Sequence, residues 1–167
     1  MRAPRRLDPD QVVEHLPRLY RAARAWTRSP EEAEDLVQET CARVLARPRW
    51  LRGDDELGYL LRALRNTLTS EHRAKTRRPV TAPMAEEWGG GSRASDDPVE
   101  VVANREVYAV IRELPDEFRD ALVAVDLAGL SYAEAARTLA VSEGTLTSRL
   151  FRARDRVASR LEDPAVQ

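Results

Sequence analysis

The stretch from Leu130 to Arg154, LSYAEAARTLAVSEGTLTSRLFRAR, constrains this chain more than any other. It predicts two short helices around a tight turn. Ser131 is placed to cap the first helix, and Glu134 three residues on completes a capping box. Tyr132, Ala135, Ala136 and Leu139 recur at helical spacing as its apolar face. Ala140-Val141-Ser142 is the turn, with Ser142 the N-cap of the second helix. That helix is expected from about Glu143 to Leu161, with Leu146, Leu150, Ala153, Val157 and Leu161 inward. Its other faces carry Thr145, Thr147, Ser148, Arg149, Arg152, Arg154, Arg156 and Arg160. A capped helix, a short turn and a basic helix with a small, polar N-terminus make a helix-turn-helix, whose second helix lies in the DNA major groove. Small polar side chains there reach base edges, and arginines reach phosphates or grip guanine with two hydrogen bonds. A solvated basic surface helix shares the composition but has no need of the capped helix and turn before it.

Charge supports a local encounter with nucleic acid. The net charge of −1 over 167 residues hides segregation. Residues 1–78 hold 17 basic and 12 acidic residues, residues 113–143 hold 2 and 7, and residues 144–160 hold 5 and 1. Basic patches on a near-neutral chain suit a protein that touches DNA in places and another protein elsewhere. A single cysteine, Cys41, excludes an internal disulfide and a cysteine-based zinc cluster, and His15 and His72 stand far apart, so no metal or cofactor is expected. No nucleophile–base pair or phosphate loop is evident, so no enzyme is expected. With no apolar run after the basic start and none near ~18 residues, neither a signal peptide nor membrane insertion is expected, and a cytoplasmic location is.

Taken in order, residues 1–10 are basic and expected to fray. A helix follows from Asp10 to Thr27, with Val13, Leu16, Leu19, Tyr20, Ala23 and Trp26 inward and Pro17 predicting a kink or restart. Ser29-Pro30-Glu31-Glu32 is a strong helix start. The helix to about Ala46 has Ala33, Leu36, Val37, Thr40, Val44 and Leu45 on its inner face, and Cys41 reads as packing. Its outer face shows Glu34, Asp35, Gln38, Glu39 and Arg43, which suits the arginines of a partner helix.

Residues 47–55 read as a loop. The next helix, Asp55 to about Lys75, has Leu57, Leu60, Leu61, Leu64 and Leu68 as its core stripe. Its polar, mostly basic surface includes Tyr59, Arg62, Arg65, Asn66, His72 and Arg73. Residues 79–97, with Gly89-Gly90-Gly91-Ser92, read as a flexible linker. Asp97-Pro98-Val99-Glu100 opens a helix with Val101, Val102, Val107, Val110 and Ile111 on its apolar side. Leu114-Pro115 breaks it, and a helix from Pro115 to Ala128 turns Phe118, Leu122, Val125 and Leu127 inward before Gly129. The expected fold is all-α, with two small helical domains, 10–78 and 98–163, joined by the linker.

Three segments carry a family resemblance. Gly144-Thr145-Leu146-Thr147-Ser148-Arg149-Leu150, followed by Arg152-Ala153-Arg154, is similar to the G-T-V-x-S-R-L-x-R-A-R run of bacterial extracytoplasmic-function (ECF) sigma factors of the sigma-70 family. Ala33-Glu34-Asp35-Leu36-Val37-Gln38-Glu39-Thr40 resembles that family's A-E-D-L-V-Q-E-T, and Tyr59 to Asn66 its W-L-x-x-I-A-R-N. Departures are Ala140 where the family often has Gly, Tyr59 for Trp and Ser70 for Asp.

The resemblance implies a transcription-initiation factor. Glu34, Asp35, Gln38, Glu39 and Arg43 would dock on the clamp helices of the core RNA polymerase largest subunit, with the flap region as a further contact. Tyr59, Arg62, Arg65, Asn66, His72 and Arg73 would open and hold a −10 element. Thr145, Thr147, Ser148, Arg149, Arg152 and Arg154 would read a −35 element. It also implies promoter DNA and an anti-sigma protein as partners. The rival from another class is a free-standing helix-turn-helix regulator that binds duplex DNA as a dimer.

Overall fold

A computed structural model describes residues 5–47, 50–51, 55–77 and 98–162. The predicted linker and Asp97 lie outside the described residues, as do the side chains of Val101 and Val102. The described part is helical: α1 (Pro9–Trp26), α2 (Pro30–Ala46), α3 (Glu56–Arg77), α4 (Pro98–Glu113), α5 (Asp116–Leu122), α6 (Tyr132–Leu139) and α7 (Glu143–Glu162). A π-helical turn, Val123–Leu127, continues α5. Two short strands, β1 (Arg5–Arg6) and β2 (Trp50–Leu51), pair antiparallel.

Local chemistry sets the helix starts. Asp8 accepts the Asp10 N–H at 3.1 Å and Ser29 accepts the Glu32 N–H at 3.1 Å. At α6 the full capping box is present: Ser131 Oγ accepts the Glu134 N–H at 3.3 Å, and the Glu134 carboxylate accepts the Ser131 N–H at 2.8 Å. Ser142 Oγ accepts the Thr145 N–H at 3.1 Å and starts α7. The α6–α7 turn needs a left-handed residue, and Ala140 supplies it with φ 55° and ψ 45°. Glycine would take that conformation without the Cβ penalty.

Leu19, Leu36, Leu60 and Leu64 fill the N-terminal half, and Phe118, Val123, Leu146 and Leu150 the C-terminal half. These groups belong to one continuous apolar cluster, because α1 and α3 pack against α4, the π turn and α6 across the halves. Gly58 on α3 lies at this seam. A Cβ there would stand 2.6 Å from Thr138 Oγ1 on α6 and 2.1 Å from Asp55 Oδ1.

Several sequence expectations need correction. The N-terminal residues and the loop at 47–55 supply a strand pair, Arg5–Arg6 with Trp50–Leu51, and Leu7 beside it is buried. Helix α1 runs unbroken through Pro17, which is exposed, so the lost backbone bond falls on the solvent side. Val13, Leu45, Tyr132 and Leu161, assigned inward, are exposed, Val13 to 61%. Each lies at the margin of an apolar stripe wider than the face that finds a partner. The helix expected from Pro115 to Ala128 ends instead in the wider π turn.

Two consequences can be measured. Gly58→Ala is expected to cost ~1–3 kcal/mol in chemical denaturation, because the seam has no room for the added methyl. The Ser131 hydroxyl, then its N–H, hold the Glu134 carboxyl below an ordinary glutamate's 4.5. The folded value being the lower, this stabilisation is present above 4.5 and is lost as pH falls through the folded value. Glu134→Gln should flatten that part of the acid limb in denaturation melts run from pH 6 to pH 3.

Candidate nucleic-acid interface

Helix α7 buries Leu146, Leu150 and Ala153 against α5 and α6 and leaves Thr145, Thr147, Ser148 and Arg152 exposed. Of the predicted reading residues, Thr145, Ser148, Arg149 and Arg152 flank this buried stripe on one side and Thr147 and Arg154 on the other, with Arg149 half-buried. Thr147 Oγ1 donates to the Glu143 carbonyl at 2.8 Å, leaving its lone pairs and methyl to face outward. Two of the arginines are held by carboxylates. Arg149 reaches Glu117 at 3.1 Å, and Arg154 makes a two-pronged pair with Asp126 at 2.9 and 2.7 Å. Hydrogen bonds to Asp126 push the Arg154 guanidinium further into its charged range. Arg156 lies over the Phe118 ring at 4.7 Å, which ties its stem to packing.

Sequence reading missed Phe151, which is 72% exposed and one turn beyond Thr147 on the outward face. The signal was available: a large apolar residue among T-S-R-L-F-R has no core to enter when Leu146, Leu150 and Ala153 already fill the inner stripe. An exposed phenyl ring on such a helix suits a thymine methyl.

The second surface is on α3. Tyr59, Arg62, Asn66 and Ser70 recur along one face and line an open cleft of about 580 Å³. Trp50 and Leu51 of β2 and Arg43, Val44 and Arg47 at the end of α2 close its other side. Trp50 is 66% exposed and escaped prediction because its segment reads as a loop, whereas pairing with β1 places it at the cleft. Arg62 pairs with Asp55 at 3.1 Å, which steadies the guanidinium at the cleft edge. An aromatic pair, guanidinium groups, an amide and a hydroxyl around one cleft can stack an unpaired base and bond its edge.

The structure does not bring all the predicted −10 residues to this cleft. Arg65 points across the seam, pairs with Asp120 of α5 and lies 5.8 Å from the Trp26 ring centre. Burial pushes the Asp120 carboxyl up, against the pull of Arg65. Asn66 borders both the open cleft and a cavity of about 270 Å³ at the seam. His72 lines a third cleft, of about 640 Å³, with Trp26, Arg28, Glu32 and Asp35. Arg73 is exposed near the end of α3.

On α2, Asp35, Gln38 and Glu39 are exposed and Glu34 is half-buried. Arg43 donates to Glu39 at 2.6 Å, so these two largely neutralise each other, and Asp35 is exposed at the 640 Å³ cleft. Burial raises the Cys41 pKa, which suits packing over reactivity.

Two segments of the chain match known families. Residues 1–78 match the family Sigma-70 region 2, and residues 104–157 match Sigma-70, region 4. The ECF RNA polymerase sigma factor SigM of Mycobacterium tuberculosis is 33% identical over 145 residues, covering 86% of this chain and 71% of that one. The RNA polymerase sigma-H factor of Pseudomonas aeruginosa is 32% identical over 148 residues, covering 82% and 77%. The ECF sigma factor SigE of Mycolicibacterium smegmatis is 31% identical over 153 residues, and this chain spans 59% of its length. In fold, the chain is similar to the sigma factor RpoE solved with the anti-sigma factor NepR from Bartonella quintana, at TM-score 0.68 and 24% identity over 93% of this chain and 96% of that one. It is also similar to CnrH solved with the cytosolic domain of CnrY, at TM-score 0.67 and 20% identity over 92% and 86%.

Proposed function

Given that this chain belongs to the ECF sigma factors of the sigma-70 family, we propose that it directs core RNA polymerase to promoters whose −35 element is read by α7 and whose −10 element is opened at α3. In this reading Thr145, Thr147, Ser148, Arg149 and Phe151 face base edges in the major groove, with Arg152 and Arg154 toward phosphates. Arg149 and Arg154 exchange Glu117 and Asp126 for DNA. The exposed face of α2, with Asp35, Gln38 and Glu39, docks on the polymerase clamp helices. An anti-sigma protein is a fitting further partner, since RpoE of Bartonella quintana was solved with one.

The observation that carries the reading is the cleft of Trp50, Tyr59, Arg62 and Asn66. A regulator that binds only duplex DNA has no use for a stacking surface beside an amide. A sigma factor must hold bases that have left the helix, and extruding a base costs a few kcal/mol that such contacts offset. The dimeric-regulator rival accounts for α6 and α7 and leaves this cleft and the α2 face without a task. Run-off transcription with core polymerase on promoter libraries decides between them. A chain that starts no transcript, yet alone binds a palindromic duplex tightly, is the regulator.

Two variants probe the parts. Asn66→Ala should impair −10 opening more than initial duplex binding, and a template with a pre-melted −10 bubble should restore much of the unwinding. Arg149→Ala should weaken binding by ~1–3 kcal/mol and gain little from the bubble, because its contact lies in upstream duplex. Permanganate footprinting on both templates reads the contrast. Charge reversal at Asp35 should reduce assembly with core polymerase several-fold in a pull-down titration and leave the far-ultraviolet dichroism of the chain unchanged.

A further inference from the structure

We propose that the β1–β2 ribbon is part of the single-strand site: Arg6 of β1, standing over the Trp50 ring, takes a backbone phosphate of the unpaired strand whose base stacks in the α3 cleft. This rests on the reading of that cleft as the −10 site. It adds a phosphate contact from a strand outside α2 and α3.

The register of the ribbon brings the two side chains together. Arg6 lies directly opposite Trp50 in the antiparallel pair, and Arg5 opposite Leu51. Directly opposed residues share a face, and successive residues along a strand point to opposite faces. Leu51 and Leu7 are buried and pin the ribbon to the core, while Arg6 and Trp50 are left outward. The Arg6 guanidinium lies 5.9 Å from the centre of the Trp50 ring, within reach of a cation–π contact. Trp50 is still exposed enough to offer indole surface to a base at the cleft.

Charge decides what Arg6 can hold. Two guanidinium groups that line the cleft already have carboxylates: Arg43 has Glu39 at 2.6 Å, and Arg62 has Asp55 at 3.1 Å. Among the described residues, exposed Arg6 is paired with no carboxylate. A phosphate arriving at the rim therefore meets a cation with no internal anion to give up. Aromatic rings for the bases and a basic track for the backbone are the two parts of a single-strand site. Trp50 and Tyr59 supply the first, and Arg6 supplies the second on the Trp50 side.

The test titrates the full chain with a dye-labelled, mixed-sequence single strand, read by anisotropy at several salt concentrations. Losing one phosphate contact makes the slope of log affinity against log salt shallower by ~0.7 for a single strand. Arg6→Gln should show that change and bind several-fold more weakly at low salt. Arg6→Lys should restore the slope. Trp50→Ala should weaken binding with the slope unchanged, because stacking releases no counterions. A duplex of the same length should lose less from Arg6→Gln than the single strand does.

An Arg6→Gln slope equal to that of wild type overturns the proposal, since Arg6 then only covers the indole. An equal loss on duplex and single strand also overturns it, since Arg6 then attracts DNA of any kind. Failure of the cleft reading looks different. If Trp50→Ala weakens binding and Arg6→Gln does not, only the Arg6 contact falls. If both variants bind as wild type does, or wild type binds no strand, the cleft reading falls with it.

Discussion

A helix packed from several sides has to be slim, and the rest of this structure depends on α1 being so. Ala22, Ala23 and Ala25 are fully buried within it, beside Leu19. Their small side chains let α2 and α3 approach on one flank and α4 and the π turn on another. Beside these alanines stand longer side chains, among them arginines that work at their ends. Arg24 is buried with its guanidinium over the Tyr108 ring, and the exposed Arg21 reaches the Leu127 carbonyl. Larger residues in place of the three alanines would push the halves apart before any polar contact could form.

Charge is arranged around the same axis. Residues 113–143 hold an acidic excess. Much of it is spent within the chain. Glu117, Asp120 and Asp126, on one short stretch, hold Arg149, Arg65 and Arg154. Two of these pairs lie within the C-terminal half and orient the basic helix. The third crosses to α3. A basic surface prearranged by its own carboxylates holds its guanidinium groups in fixed positions.

The local grammar was legible in the sequence and the long-range pairing was not. Ser29, Ser131 and Ser142 announce their helices because an N-cap is settled within three residues. Ala140 could be read as a strained left-handed turn for the same reason. The outward faces of α2 and α7 followed from periodicity once the inner stripe was set. Periodicity names a face and not its partner, so Arg65 read as a free basic residue when it is tied to a carboxylate 55 positions away. The cleft was half legible: Tyr59, Arg62 and Asn66 share a helix face, whereas Trp50 joins them through a two-residue strand too short to show alternation.

The π turn at Val123–Leu127 carries a consequence for chain length. A π turn holds about one residue more than a regular helical turn, the size of a single-codon insertion. In an ordinary helix one added residue swings everything after it by about 100°. Here the surplus is absorbed within five residues, and Asp126 still meets Arg154 while the Leu127 carbonyl still meets Arg21. Shortening the segment by one codon would restore regular winding and carry both groups off their partners. This turn is thus the place in the fold where the reading frame of the helix, counted in residues, is coupled to how the two halves hold each other.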